Sequence, residues 1–246
     1  MPALDLICLA NSYKWHSRCL AGLRVDGGGW VRPVSDKEHG ELQYSQYRLP
    51  DHSEPHLFDV IRLGFSNRRP LPHQPENWLV DNSAWKLVER PASAEHARVV
   101  AAALFRGSVL LGNTGRSVPQ AQFRRHPARE SLVLVQPTNI RWRTEFNTYE
   151  LRNVPRVLFK LGEVPYDLPL TDPAYAGPLQ RRDEGRPLQA SSHRDRSIDP
   201  LLEHFQDQAL QIVSLGHGQQ NRMIRGLRAA FEHAQLATGI QRCLRH

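Results

Sequence analysis

Apolar and β-branched residues fall in short runs along this chain, separated by polar stretches rich in glycine and proline. Leu4–Ala10, Cys19–Val25 and Trp30–Val34 read as strands, and Leu57–Phe65 (LFDVIRLGF) as a fourth. Gly27–Gly29 supplies a flexible turn ahead of Trp30, and Ser35–Pro55 is polar and turn-rich. Asn67–Pro75 (NRRPLPHQP) is an Arg/Pro loop that leads to strand-like Trp78–Asp81 and Trp85–Val88. Ser93 occupies an N-cap position before Ala94–Arg106, the one strong helix signal of the first half.

Strands resume at Ser131–Gln136 and Ile140–Glu150. In the second, Trp142, Thr144, Phe146 and Thr148 alternate with Arg141, Arg143 and Glu145, the period of two that puts alternate side chains on opposite faces. Arg156–Leu161 and Val164–Leu170 flank a Gly-Glu turn, a hairpin signal. Gly177–Pro200 is polar and arginine-dense and reads as a loop or disordered segment. Leu210–Leu215 reads as a strand, and Met223, Ile224, Leu227, Ala230, Phe231 and Ala234 keep a helical rhythm within Gln219–Ala237. The expected fold is mainly β with few helices. A first small barrel spans 1–92, a linking helix and loop 93–128, and a second barrel 129–246, with the arginine-rich loop 177–200 and a C-terminal helical or strand segment.

At 246 residues the chain has ample length for a core. No apolar run approaches the ~20 residues of a membrane span, and no basic region precedes the first apolar run, so a cytoplasmic protein without a secretory signal is expected. Cys8, Cys19 and Cys243 form no CxxC pair; Cys8 and Cys19 lie in apolar runs and read as buried small hydrophobes. Net charge is +7, carried by 28 Arg against four Lys. Guanidinium forks match phosphates and stack on bases, so the bias suits an anionic polymer; a GC-rich genome explains it equally well.

HExxH, GxSxG and P-loop signatures are absent, and no Lys has an acidic residue two positions before it. His52 and His56 with Asp51, Glu54 and Asp59 are the one metal-like grouping, better read as a solvent-facing loop around Pro55. Asp167 and Asp172 bracket a strand end, where a turn role for Asp172 ahead of Pro173 outweighs acid–base chemistry. No metal and no cofactor are expected, and the chain leans away from being an enzyme.

Three blocks carry a family resemblance. They are Cys8–Lys14 with Arg18–Gly22 and Gly29–Ser35; Arg156–Phe159 with Gly162 and Tyr166–Pro173; and Ile212–Gly216. Together they resemble a prokaryotic family of dual OB-domain proteins. The resemblance implies two OB-like barrels and nucleic-acid binding; a prokaryotic genome-defence or mobile-element setting is the expected context. It also implies a strand rather than a helix after Ser214.

The candidate nucleic-acid contacts follow from both lines. Trp30 beside Arg32 offers stacking next to charge, against a reading in which Trp30 packs inward and Arg32 pairs with an acid. Asn11, Ser12, Lys14 and Arg18 fall where a loop joining two strands can hold phosphate. Arg141 and Arg143 share a strand face as a basic rail or as an ordinary solvated face, and Arg181 and Arg182 open the arginine-rich loop. Single-stranded DNA or RNA is the expected partner. An enzyme using Asn11, Lys14, Arg18, Arg32 and Asp172, or a scaffold docking a protein partner, are the alternatives.

Overall fold

Eleven residues, Leu4–Lys14, form β1, which pairs antiparallel with β2, Ser17–Arg24, from Leu6 opposite Arg24 to Lys14 opposite Ser17. The strand runs past the apolar stretch that predicts it. Asn11 and Ser12 are poor strand formers, yet cross-strand pairing carries them to the hairpin end. The two backbones approach so closely at Gly22 that a Cβ there would stand 2.3 Å from the Ile7 carbonyl oxygen. This computed structural model describes residues 3–14, 17–90, 92–115, 118, 120–148, 151–170, 211–215 and 222–226. The chain forms two compact units, one reaching to Leu104 and the other running Phe105–Gly226.

In the first unit β3 (Trp30–Val34), α1 (Tyr44–Tyr47), β4 (Val60–Leu63), β5 (Phe65–Arg68), β6 (Asn77–Val80), β7 (Lys86–Glu89) and α2 (Ala94–Ala102) follow the opening hairpin. The seven strands form one curled half-barrel in the order β5-β6-β3-β2-β1-β4-β7. Neighbours are antiparallel except β3 and β6, which run parallel. Extra residues in β1, β7 and β5 add the bends such a sheet needs. Leu6, Cys8, Leu20, Val31, Leu42, Phe65 and Trp85 fill its core, each large apolar side chain contributing about 1.5–3 kcal/mol on burial. Cys8 and Cys19 are both buried, as their apolar settings imply.

The single run Leu57–Phe65 becomes two strands. Phe58 sits in the left-handed region at φ 67°, so β4 starts only at Val60. Gly64, where a Cβ would meet the Asp81 carboxylate at 2.3 Å, separates β4 from β5. Ser93 caps α2 as expected, accepting from the His96 N–H, but the helix ends at Ala102 rather than Arg106.

The second unit holds α3 (Gln120–Arg125), β8 (Leu132–Val135), β9 (Thr138–Asn147), β10 (Arg152–Leu161), β11 (Val164–Pro169), β12 (Gln211–Leu215) and β13 (Arg222–Gly226). They make two three-stranded sheets, β11-β10-β9 and β13-β12-β8. Val133, Val135, Val157, Phe159, Tyr166 and Leu168 form the core, with Ile140 and Trp142 of β9 packed against it. The Phe159 and Tyr166 rings stack at 5.3 Å, and the Tyr166 hydroxyl donates to the Ser108 carbonyl at 2.7 Å. The alternation of β9 therefore holds at Trp142, while Phe146 at the strand end is 58% exposed.

Two features went beyond the local pattern. α3 is too short to show a period, and Phe123, buried beside Val118, anchors it. Within Gln219–Ala237, left open between helix and strand by the sequence, Arg222–Gly226 is a strand, as the resemblance implies, paired with β12 from Gln211 opposite Gly226 to Leu215 opposite Arg222. Short apolar runs fit either period, and the available β12 edge decides. Residues 177–200 and 227–237 lie outside the described residues.

Candidate nucleic-acid interface

The polar residues of the first hairpin are strand residues, not loop residues, and each described side chain is engaged. Asn11 Nδ2 donates to the Pro55 carbonyl at 3.0 Å. Arg18 pairs with the neighbouring Glu54 at 2.7 Å. Ser12, itself buried, donates to the carbonyl of its cross-strand partner Cys19 at 3.4 Å. Lys14 stands opposite Ser17 at the hairpin end. Asn11 and Arg18 thus grip adjacent residues of one connecting segment. Tyr47 joins them, its hydroxyl donating to Glu54 at 3.4 Å. Burial, reinforced by the Glu54 charge, pushes that phenol above its ordinary range.

The metal-like grouping is divided among separate partners. Asp51 accepts from the N–H and hydroxyl of Ser53, which holds its carboxyl below the usual range. His52 Nδ1 lies 3.1 Å from Arg48 Nη1, and Asp59 accepts from Arg90 Nε and Nη2 at 2.7 and 2.6 Å. Among the described residues no three His, Cys, Asp or Glu side chains are placed to hold a metal ion.

Trp30 and Arg32 do not share a surface. Arg32 is 2% exposed and pairs with Glu76 at 2.9 Å, whereas Trp30 is half-buried. In the second unit Arg143 bridges Glu145 and Asp167 at 2.5 and 2.7 Å, and Arg156 meets Asp167 at 2.7 Å. Of the two arginines of the β9 face, Arg143 is paired with acids and Arg141 is exposed. Arg181, Arg182 and Asp172 lie outside the described residues.

Other basic groups were not singled out by their pattern. Arg106, Arg124, Arg125 and Arg129, like Arg141, are exposed and make no ion pair with any of the described residues. Arg124 and Arg125 fall in the last turn of α3, where cations suit the helix dipole, and His126 follows them exposed. The first unit offers Arg68, whose guanidinium carbon lies 5.4 Å from the centroid of the Trp78 ring. The RR pairs at 68–69 and 124–125 were the available signal, and only tertiary structure shows which arginines lack acids.

A mainly β chain with few helices and a curled half-barrel sheet has the architecture of the OB-type small-barrel class. The family model described as the dual OB-containing domain matches residues 4–198, and the chain belongs to that family. No curated protein matches the chain.

Proposed function

We propose that this protein is a non-catalytic accessory protein that binds single-stranded DNA or RNA, chiefly through its phosphates. The observation that carries this reading is the set of five exposed second-unit arginines, Arg106, Arg124, Arg125, Arg129 and Arg141, without acids among the described residues. An arginine paired with a carboxylate offers a phosphate little net attraction, whereas an unpaired one contributes fully to counterion release. The OB-type fold supports the same reading, because such barrels commonly present strands and loops to oligonucleotides. The enzyme alternative draws no support from its residues, since Asn11, Arg18 and Arg32 each engage a different partner.

We place this activity in a genome-defence or mobile-element setting, in the cytoplasm. No helix among the described residues is long and apolar enough to cross a membrane. The reading is tested by titrating labelled single-stranded DNA and RNA at several salt concentrations. Affinity that falls steadily with salt is expected; no binding at low salt would end the proposal.

A further inference from the structure

We propose that Trp78 and Arg68 form a base-stacking site on the first unit, selecting strands that carry unpaired bases; this rests on the nucleic-acid reading above. Arg68 and Trp78 stand directly opposite each other on β5 and β6. In a regular strand Phe65 and Arg68, three positions apart, would face opposite sides of the sheet. The register break between Phe65 and Asn67 inserts one residue, so Phe65 pairs with Val80 and Arg68 with Trp78, on one face. Bulges of this kind re-aim a side chain.

The indole is consequently half-buried, with Phe65 and Arg68 both against its ring. Phe65 meets it edge-on at 5.5 Å and 63°, and Trp78 packs against the core of the half-barrel. The exposed Arg68 lies over the ring, and among the described residues it has no acid partner. The guanidinium carbon, 5.4 Å from the centroid of the half-buried indole, marks the side from which a nucleobase would approach. A base entering there stacks on Trp78 while Arg68 swings to cap it or to meet the adjoining phosphate. Arg69, the next residue, is exposed and tethered by Nη1 to the Ser35 carbonyl at 2.8 Å. β5 is the end strand of its sheet, so the approach lies at an edge.

The test compares a labelled oligo(dT) with an oligomer of equal length made of abasic sites, which keeps every phosphate and removes every base. Trp78→Leu keeps an apolar side chain in the core, and Arg68→Lys keeps the charge without the plane. Each variant is expected to weaken oligo(dT) binding about five- to hundredfold, the worth of one stacked base, while leaving abasic binding unchanged. Equal wild-type affinity for the two oligomers, or wild-type oligo(dT) affinity in both variants, overturns the stacking site and leaves phosphate binding standing. Failure of the wild type to bind either oligomer overturns both. Should Trp78→Leu not fold, the surface variant Arg68→Lys decides alone.

Discussion

Arg32 and Glu76 are joined twice: the Arg32 N–H donates to the Glu76 carbonyl at 2.9 Å, and the guanidinium meets the carboxylate at 2.9 Å. The double link closes the parallel β3–β6 junction of the half-barrel, where both side chains are buried. A buried pair contributes little net stability over apolar replacements, but a lone buried charge is costly. Arg32→Met is therefore expected to destabilise the protein by about 3–5 kcal/mol. Adding Glu76→Leu should recover a large part of that loss. Denaturant unfolding of the single and double variants measures both; a single variant as stable as wild type would contradict the assignment.

Arg143 and Arg156 face each other across β9 and β10, a like-charge pair that would repel. Asp167 on β11 sits between them, accepting from both. Asp167→Asn is expected to cost about 2 kcal/mol, the scale of a hydrogen bond to a charged group. Combining it with Arg143→Gln should cost less than the sum of the two, which a double-mutant cycle reads directly.

Acid should loosen the turns of the first unit. The Arg24 guanidinium, then the Gly28 N–H, hold the Asp26 carboxyl below its ordinary 3.8, and the hydroxyl and N–H of Ser83 do the same for Asp81. Asp51 is lowered likewise by Ser53. A depressed folded value means that the stabilisation is present above pH 3.8 and is lost as pH falls through the lower folded value. Thermal midpoints are expected to drop from pH 3.8 downward, and less steeply in an Asp26→Asn/Asp81→Asn variant. Equal acid sensitivity in the two proteins would show that these turns do not contribute.

Local signals were legible where local physics decides. Trp30–Val34 appears with its expected bounds, Ser93 caps its helix, and Trp142 faces the core as the alternation of β9 requires. Contacts set by distant parts of the chain were not legible. Nothing near Arg32 names Glu76 as its partner, and nothing near Arg143 names Asp167. The extra residue in β5 that turns Arg68 onto Trp78 leaves no trace in residue type, because a bulge is a property of pairing. The candidate site moved for the same reason: arginines look alike in a sequence, and only the folded chain shows which have acids.

The most direct measurement of the central claim is the salt slope of oligonucleotide binding in wild type and in an Arg124→Gln/Arg125→Gln/Arg129→Gln variant. These side chains are exposed, so the fold should survive their loss. Each single-strand phosphate contact contributes about 0.7 to the slope of log affinity against log salt, so the triple variant should lose about two units of slope and bind more weakly at low salt. Unchanged slope and affinity would contradict the assignment of these arginines as phosphate contacts.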